Sequence, residues 1–279
     1  MIEPLLYELH DMARERGIEG YRRMSKTELL GVVGDGQHVG GPTTVERSVR
    51  RGLGLLTLRG GTPENTLALE TLEDLAAAVE ELAADESVRL VAITGAGGRI
   101  FSAGADLAAV AGLPGAEVTG RGSAALDRIA GVDVPTVAVL NGHAVGGGID
   151  LALACDWRIG AEGARLRFIH NELGYSPPWG AAERLGRLVP APVALRLFAT
   201  CALVSMQEAR DLGLVDDLAA PHRVLGRVDA LLTRIERADR VAVMATKRLL
   251  RPDTPREAHS AAFAALWDAR ADQSSNVQA

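Results

Sequence analysis

TVAVLNGHAVGGGIDLALACD, residues 136–156, decides the fold of this 279-residue chain. Its opening is an almost unbroken apolar run, the pattern of a parallel strand covered on both faces. A glycine triplet, Gly146–Gly148, then opens a helix carrying Leu151 and Leu153. The first turn of a helix leaves N–H groups without intrahelical partners, and small residues let a ligand reach them.

A second stretch has the same form. The strand RLVAITG (89–95) runs into AGGRIFSAGADL (96–107), again small residues after a buried strand. Two N–H groups from such turns aimed at one oxygen make an oxyanion hole, worth roughly 3 kcal/mol per donor to a developing negative charge. Working outward, LGLLTLR (53–59) reads as another buried strand, and 66–84 as a helix with Leu69, Leu72, Leu75, Ala76, Val79 and Leu82 on one face. Residues 117–130 are helical, and WRIGA (157–161) and LRFI (166–169) are short strands. Helices follow at 179–188, 191–200, 205–212, 222–238, 240–250 and 255–270. Alternating strands and helices predict an α/β domain with a largely parallel sheet.

Upstream of this body the composition changes. Leu5, Leu6, Leu9, Met12 and Ala13 recur at helical spacing, and Ser25 with Glu28 forms a capping box before Leu29 and Leu30. LHDMARERGIEGYRRMSKTELL (9–30) resembles the Rho-termination-factor N-terminal, SAP-like helical motif. Residues 1–33 are therefore expected to be a small helical appendage, 34–48 a Gly-rich polar linker, and 49–279 the main domain. The resemblance confines any nucleic-acid role to residues 1–33, where Arg14, Arg16, Arg22, Arg23 and Lys26 supply positive charge; a docking role is the alternative.

Composition removes several classes of function. The formal net charge is −6, so the whole chain is no polycation for nucleic-acid phosphates. The 30 basic residues include only Lys26 and Lys247 as lysine, which makes Schiff-base catalysis a poor fit. There is no P-loop, no G-x-G-x-x-G after a strand and no G-x-S-x-G. The six histidines (10, 38, 143, 170, 222 and 259) show no metal-pair spacing, so no metal site is expected. Cys155 and Cys201 lie in Ala/Leu-rich surroundings and read as core thiols. With no signal layout and no run of about 18 apolar residues, the expectation is a soluble cytoplasmic protein away from membranes.

FSAGADL, VPTVAVLNGHAVGGGIDLALACDWRI, the segment ending LGYSPPWGAAERLGRLV, and QEARDLGLVDDL together resemble the enoyl-CoA hydratase/isomerase (crotonase) superfamily over about residues 50–250. That resemblance implies a crotonase-like ββα spiral, assembly as a homotrimer or hexamer, and an acyl-CoA or acyl-carrier thioester as substrate, with no separate cofactor. The family's two oxyanion donors map onto Ala105 and Gly147. Ala103, Asp106 and Gly146 beside them, and Trp179, where the family tends to have Gly or Ala, are expected to line the substrate site. Trp179 either walls the acyl pocket or packs. Arg59 and Asn65 look like remnants of a turn that helps cradle CoA.

The same hole serves hydration, double-bond migration, decarboxylation and thioester hydrolysis, so acid and base groups select the reaction. A typical hydratase carries two glutamates at these positions. Here they fall on Asp150 and His170, with Glu172 as the alternative in another register. Neutral His as base with Asp as orienter or acid can hold a water and move its protons. The resulting expectation is an acyl-CoA lyase, hydrating or dehydrating through a thioester enolate in a specialised pathway. Isomerase, decarboxylase or thioesterase chemistry, or a non-catalytic crotonase-like partner subunit, are the alternatives.

Overall fold

The computed structural model describes residues 42–60, 64–252 and 254–276, with side chains through residue 271. The chain divides into Met1–Gly41 and Pro42–Ala279, and the second unit carries the fold below. The helical motif expected at 1–33 lies outside the described residues.

Nine helices and ten strands make up the described fold: β1 Thr44–Arg50, β2 Leu53–Arg59, α1 Leu69–Ala84, β3 Leu90–Gly95, β4 Ile100–Ser102, α2 Gly115–Gly131, β5 Thr136–Leu140, β6 His143–Val145, α3 Gly147–Ala154, β7 Trp157–Ala161, β8 Arg165–Arg167, α4 Ala181–Leu188, α5 Ala191–Ala199, β9 Leu203–Ser205, α6 Met206–Asp211, β10 Asp217–Ala219, α7 Val224–Ile235, α8 Arg240–Leu249 and α9 Arg256–Asn276. Single 3₁₀ turns lie at His170–Leu173 and Pro221–Arg223.

The strands form two sheets rather than one. The larger has the order β1-β2-β3-β5-β7-β10 and is parallel except for the β1–β2 hairpin. The smaller has the order β4-β6-β8-β9, with only β8–β9 antiparallel. Each turn of chain thus lays one long strand in the first sheet and one short strand in the second, then adds a helix: β3-β4-α2, then β5-β6-α3. This is the ββα spiral. The central strands β3 and β5 are buried throughout, because helices cover one face and the second sheet shares the other side of the core. Leu56, Leu58, Leu72, Ile93, Phe101, Leu126, Leu140 and Phe168 sit in that core.

Residues 44–48, expected to end a linker, instead form the first part of β1. TVERSVR pairs as a strand with β2 and is solvent-facing along nearly its whole length, so it carries no apolar alternation to announce a strand. The strand read at 166–169 is Arg165–Arg167, after which the chain turns into the 3₁₀ segment. α9 runs on to Asn276. Cys155 is buried, as expected, and burial pushes its thiol up to about 12; Cys201 is only half-buried and sits at φ 48°. Lys247 donates to Asp156 at 2.6 Å and to the Val134 carbonyl at 3.0 Å, which fastens α8 to the body.

Candidate active site

The glycine triplet is shaped by three different neighbours. Gly146 has φ 49° and ψ −118°, a conformation essentially reserved for glycine. A Cβ on Gly147 would overlap the Trp179 ring and lie 3.1 Å from the Ala105 nitrogen. A Cβ on Gly148 would meet the Ser102 carbonyl at 2.5 Å. The triplet is therefore where the start of α3, the end of β4 and the loop before α4 close on one another.

The partner loop is held as tightly. Ser102 Oγ donates to the Asn65 carbonyl at 2.8 Å and accepts from the Gly104 N–H at 3.1 Å. The Leu67 N–H donates to the Gly104 carbonyl at 2.8 Å, and the Asp106 N–H to the Leu67 carbonyl at 2.9 Å. Gly104, at φ 92°, lets the loop come within 2.8 Å of the Gly147 nitrogen as measured from where its own Cβ would stand. These bonds consume the neighbouring donors. The N–H groups of Ala105 and Gly147 are left with no acceptor among the described residues, and the Ala105 nitrogen lies 3.1 Å from where a Cβ on Gly147 would stand.

On the other flank of the triplet stand Asp150 and His170. Asp150 is fully buried in the first turn of α3. His170 opens the 3₁₀ turn after β8, is 5% exposed, and lies edge-on to Phe198 at 5.7 Å. Its Nε2 is 3.2 Å from Asp150 Oδ1, yet the two are not aligned as a hydrogen bond. Neither carboxylate oxygen and neither ring nitrogen has an aligned partner among the described residues. Four orphaned polar atoms in one buried spot would each cost on the order of 1–3 kcal/mol in a purely structural role. A third member, Arg167 Nε, is also unpaired.

Glu172 points away and pairs with Arg167, while His170 faces Asp150. Trp179 is fully buried against Gly147 and Gly122, and its Nε1 donates to the Val118 carbonyl at 3.1 Å. Ala105, Gly146, Gly147, Asp150, His170 and Trp179 are thus brought together. Asp106 is not: its Oδ1 accepts from the N–H groups of Ala108 and Ala109, and Oδ2 from the Thr66 hydroxyl, so it caps its own turn. Ala103 spends its N–H on the Glu64 carbonyl. Asn65, at φ 47°, is buried and donates to the Ala96 and Ile100 carbonyls, and Arg59 faces Glu46. Sequence reasoning missed Gly104 and Gly122; their only signal was glycine where a loop or a helix interior did not need one.

A two-sheet ββα spiral with its glycine turns meeting at one buried mouth is a crotonase fold. The chain belongs to the enoyl-CoA hydratase/isomerase family, whose profile matches residues 48–272, and it is an enzyme of that family. It is 34% identical to the crotonyl-CoA hydratase of Syntrophomonas wolfei over 186 residues, 66% of this chain and 72% of that protein. It is 31% identical to the short-chain-enoyl-CoA hydratase of Clostridium acetobutylicum over 191 residues, 67% of this chain and 72% of the other. The crystal structure of an enoyl-CoA hydratase from Bacillus anthracis superposes with a TM-score of 0.74 at 28% identity, covering 80% of this chain and 90% of that one. Among the described residues no group of His, Cys, Asp and Glu could hold a metal, and no helix is long and apolar enough to cross a membrane.

Proposed function

We propose that this enzyme adds water across the double bond of a 2-enoyl-CoA thioester, and removes it in reverse, using Asp150 and His170 as the acid–base pair. The observation that carries the reading is the buried 3.2 Å Asp150–His170 approach, with its polar atoms unspent, beside two unspent main-chain donors. The thioester oxygen accepts from the Ala105 and Gly147 N–H groups, which draws electron density from the double bond. Neutral His170 takes a proton from a water held against it and Asp150. The water oxygen bonds to carbon 3 as the double-bond electrons move to the thioester oxygen. The enolate collapses, carbon 2 takes the proton from the pair, and the donors are released. Asp150 orients the imidazole and stabilises its protonated form, the part an adjacent carboxylate plays toward a working histidine.

The same proposal includes CoA or an acyl carrier bearing the thioester, its phosphates met by arginines, helix N-termini and main chain. It also includes a cytoplasmic location, a specialised rather than general pathway, assembly as a homotrimer or pair of trimers, and no nucleic-acid contact outside residues 1–33. The catalytic reading is tested by incubating the folded protein with enoyl-, 3-hydroxyacyl- and malonyl-type CoA thioesters in heavy water. Mass gain of one water, with deuterium at carbon 2, is the expected result. No turnover and no exchange on any thioester would leave a non-catalytic subunit as the better description.

A further inference from the structure

Trp179 is the largest fully buried side chain of the described residues, and it is spent at the donor pair. The position that a Cβ on Gly147 would take overlaps its ring edge and lies 3.1 Å from the Ala105 nitrogen, so ring and donors border the same small volume. The ring is also fixed. Its Nε1 donates to the Val118 carbonyl of α2 at 3.1 Å, and its face is pressed on Gly122, where any Cβ would overlap the indole. Ser123 Oγ donates to the Pro178 carbonyl at 3.1 Å, and Arg184 Nη1 to the Trp179 carbonyl at 2.6 Å. Indole nitrogen and ring face are both tied to α2, and the backbone around the ring is tied to α2 and α4. Such a side chain cannot swing aside to admit a ligand.

Resting on the hydratase reading above, we infer that Trp179 is a specificity-determining residue: a fixed wall that confines the acyl group on the donor pair to a short chain. His170, 3.2 Å from Asp150, lies beside Gly146, and the indole lies against Gly147. An acyl chain leaving the thioester carbon has the indole in its path, and no rotamer change opens it. Gly122 is part of the device, because only glycine at that point of α2 leaves room for the ring.

The experiment compares parent, Trp179→Ala, Trp179→Leu and Trp179→Phe on crotonyl-CoA and on 2-decenoyl-CoA, reading kcat/KM for each. The expected result is a fall with crotonyl-CoA and a rise with 2-decenoyl-CoA, so that the long-to-short ratio increases at least tenfold in the alanine variant and less in the leucine and phenylalanine variants. A gain on the long chain cannot come from a misfolded protein. A parallel loss on both substrates, or an unchanged ratio in the variants that stay folded, overturns the proposal. Calorimetric binding of butyl-CoA and decyl-CoA thioethers reads the same ratio without chemistry. If no variant turns over any enoyl-CoA but the thioether ratio shifts, the wall stands and the hydratase reading falls; if hydration proceeds with no shift in either ratio, the reverse holds.

Discussion

Burial holds Asp150 and His170 at a 3.2 Å approach, and on the proposed mechanism their chemistry depends on it. A misplacement of about 1 Å can cost on the order of 100-fold, so substitutions that keep the shape and remove the proton function are the cleanest probes. Asp150→Asn and His170→Gln are each expected to lower kcat for enoyl-CoA hydration by at least about tenfold. Glu172→Gln, only two residues from His170, is expected to leave kcat near the parent value, because Glu172 spends its carboxylate on Arg167. Equal losses in all three would place the base elsewhere. Gly147→Ala tests the donor side: its methyl group would overlap the Trp179 ring and crowd the Ala105 N–H. Loss of one donor in such a hole costs about 10²–10³ in kcat. The expected signature is that loss with a native circular-dichroism spectrum.

At the scale of elements, α1 and α2 are joined across their exposed edges by arginine–glutamate pairs. Arg121 reaches Glu70 at 2.8 Å and Glu73 at 2.7 Å, and Arg128 reaches Glu80 at 2.5 Å. The Arg121 guanidinium, by hydrogen bond first and charge second, holds Glu73 below the ordinary carboxylate range; Arg128 does the same for Glu80. A carboxylate whose folded pKa is depressed contributes stability above its unfolded pKa and loses it as pH falls through the folded value. Arg121→Ala is therefore expected to lower the thermal midpoint near neutral pH, with the gap closing below about pH 4. A gap independent of pH would mean that the arginine acts by packing alone. What the sequence revealed of these elements followed their length. β2, β3 and β5 are buried enough to read as apolar runs, and α1 shows a full helical stripe. β4, β6, β8 and β9, the strands of the second sheet, span three residues each, too short for any period; only β8 read as a strand, so the sheet itself was invisible. At the site, the sequence register already favoured His170 with Glu172 as the alternative, and the 3₁₀ turn sets His170 against Asp150 and Glu172 against Arg167.

The whole molecule ends in a surface that a lone chain has little reason to carry. Phe263 and Trp267, one helical turn apart on α9, stack at 5.7 Å and are 66% and 65% exposed. Leu250 and Val241, on and just beyond α8, are exposed as well. Scattered apolar residues are ordinary on a protein surface, but a stacked aromatic pair is the composition of an interface centre. Burying each ring in a partner would stabilise the assembly by about 2–3 kcal/mol, enough for the pair to decide whether subunits stay together at micromolar concentration. Sedimentation velocity of the parent is expected to give the mass of a trimer or of paired trimers. The double variant Phe263→Ser with Trp267→Ser is expected to shift that mass toward the monomer. A chain beginning at Pro42, where the second unit begins, is expected to keep both the parent assembly and hydration, because site and aromatic pair lie within that unit. A monomeric parent would remove the trimer, and an unchanged mass in the double variant would move the interface off this face of α9.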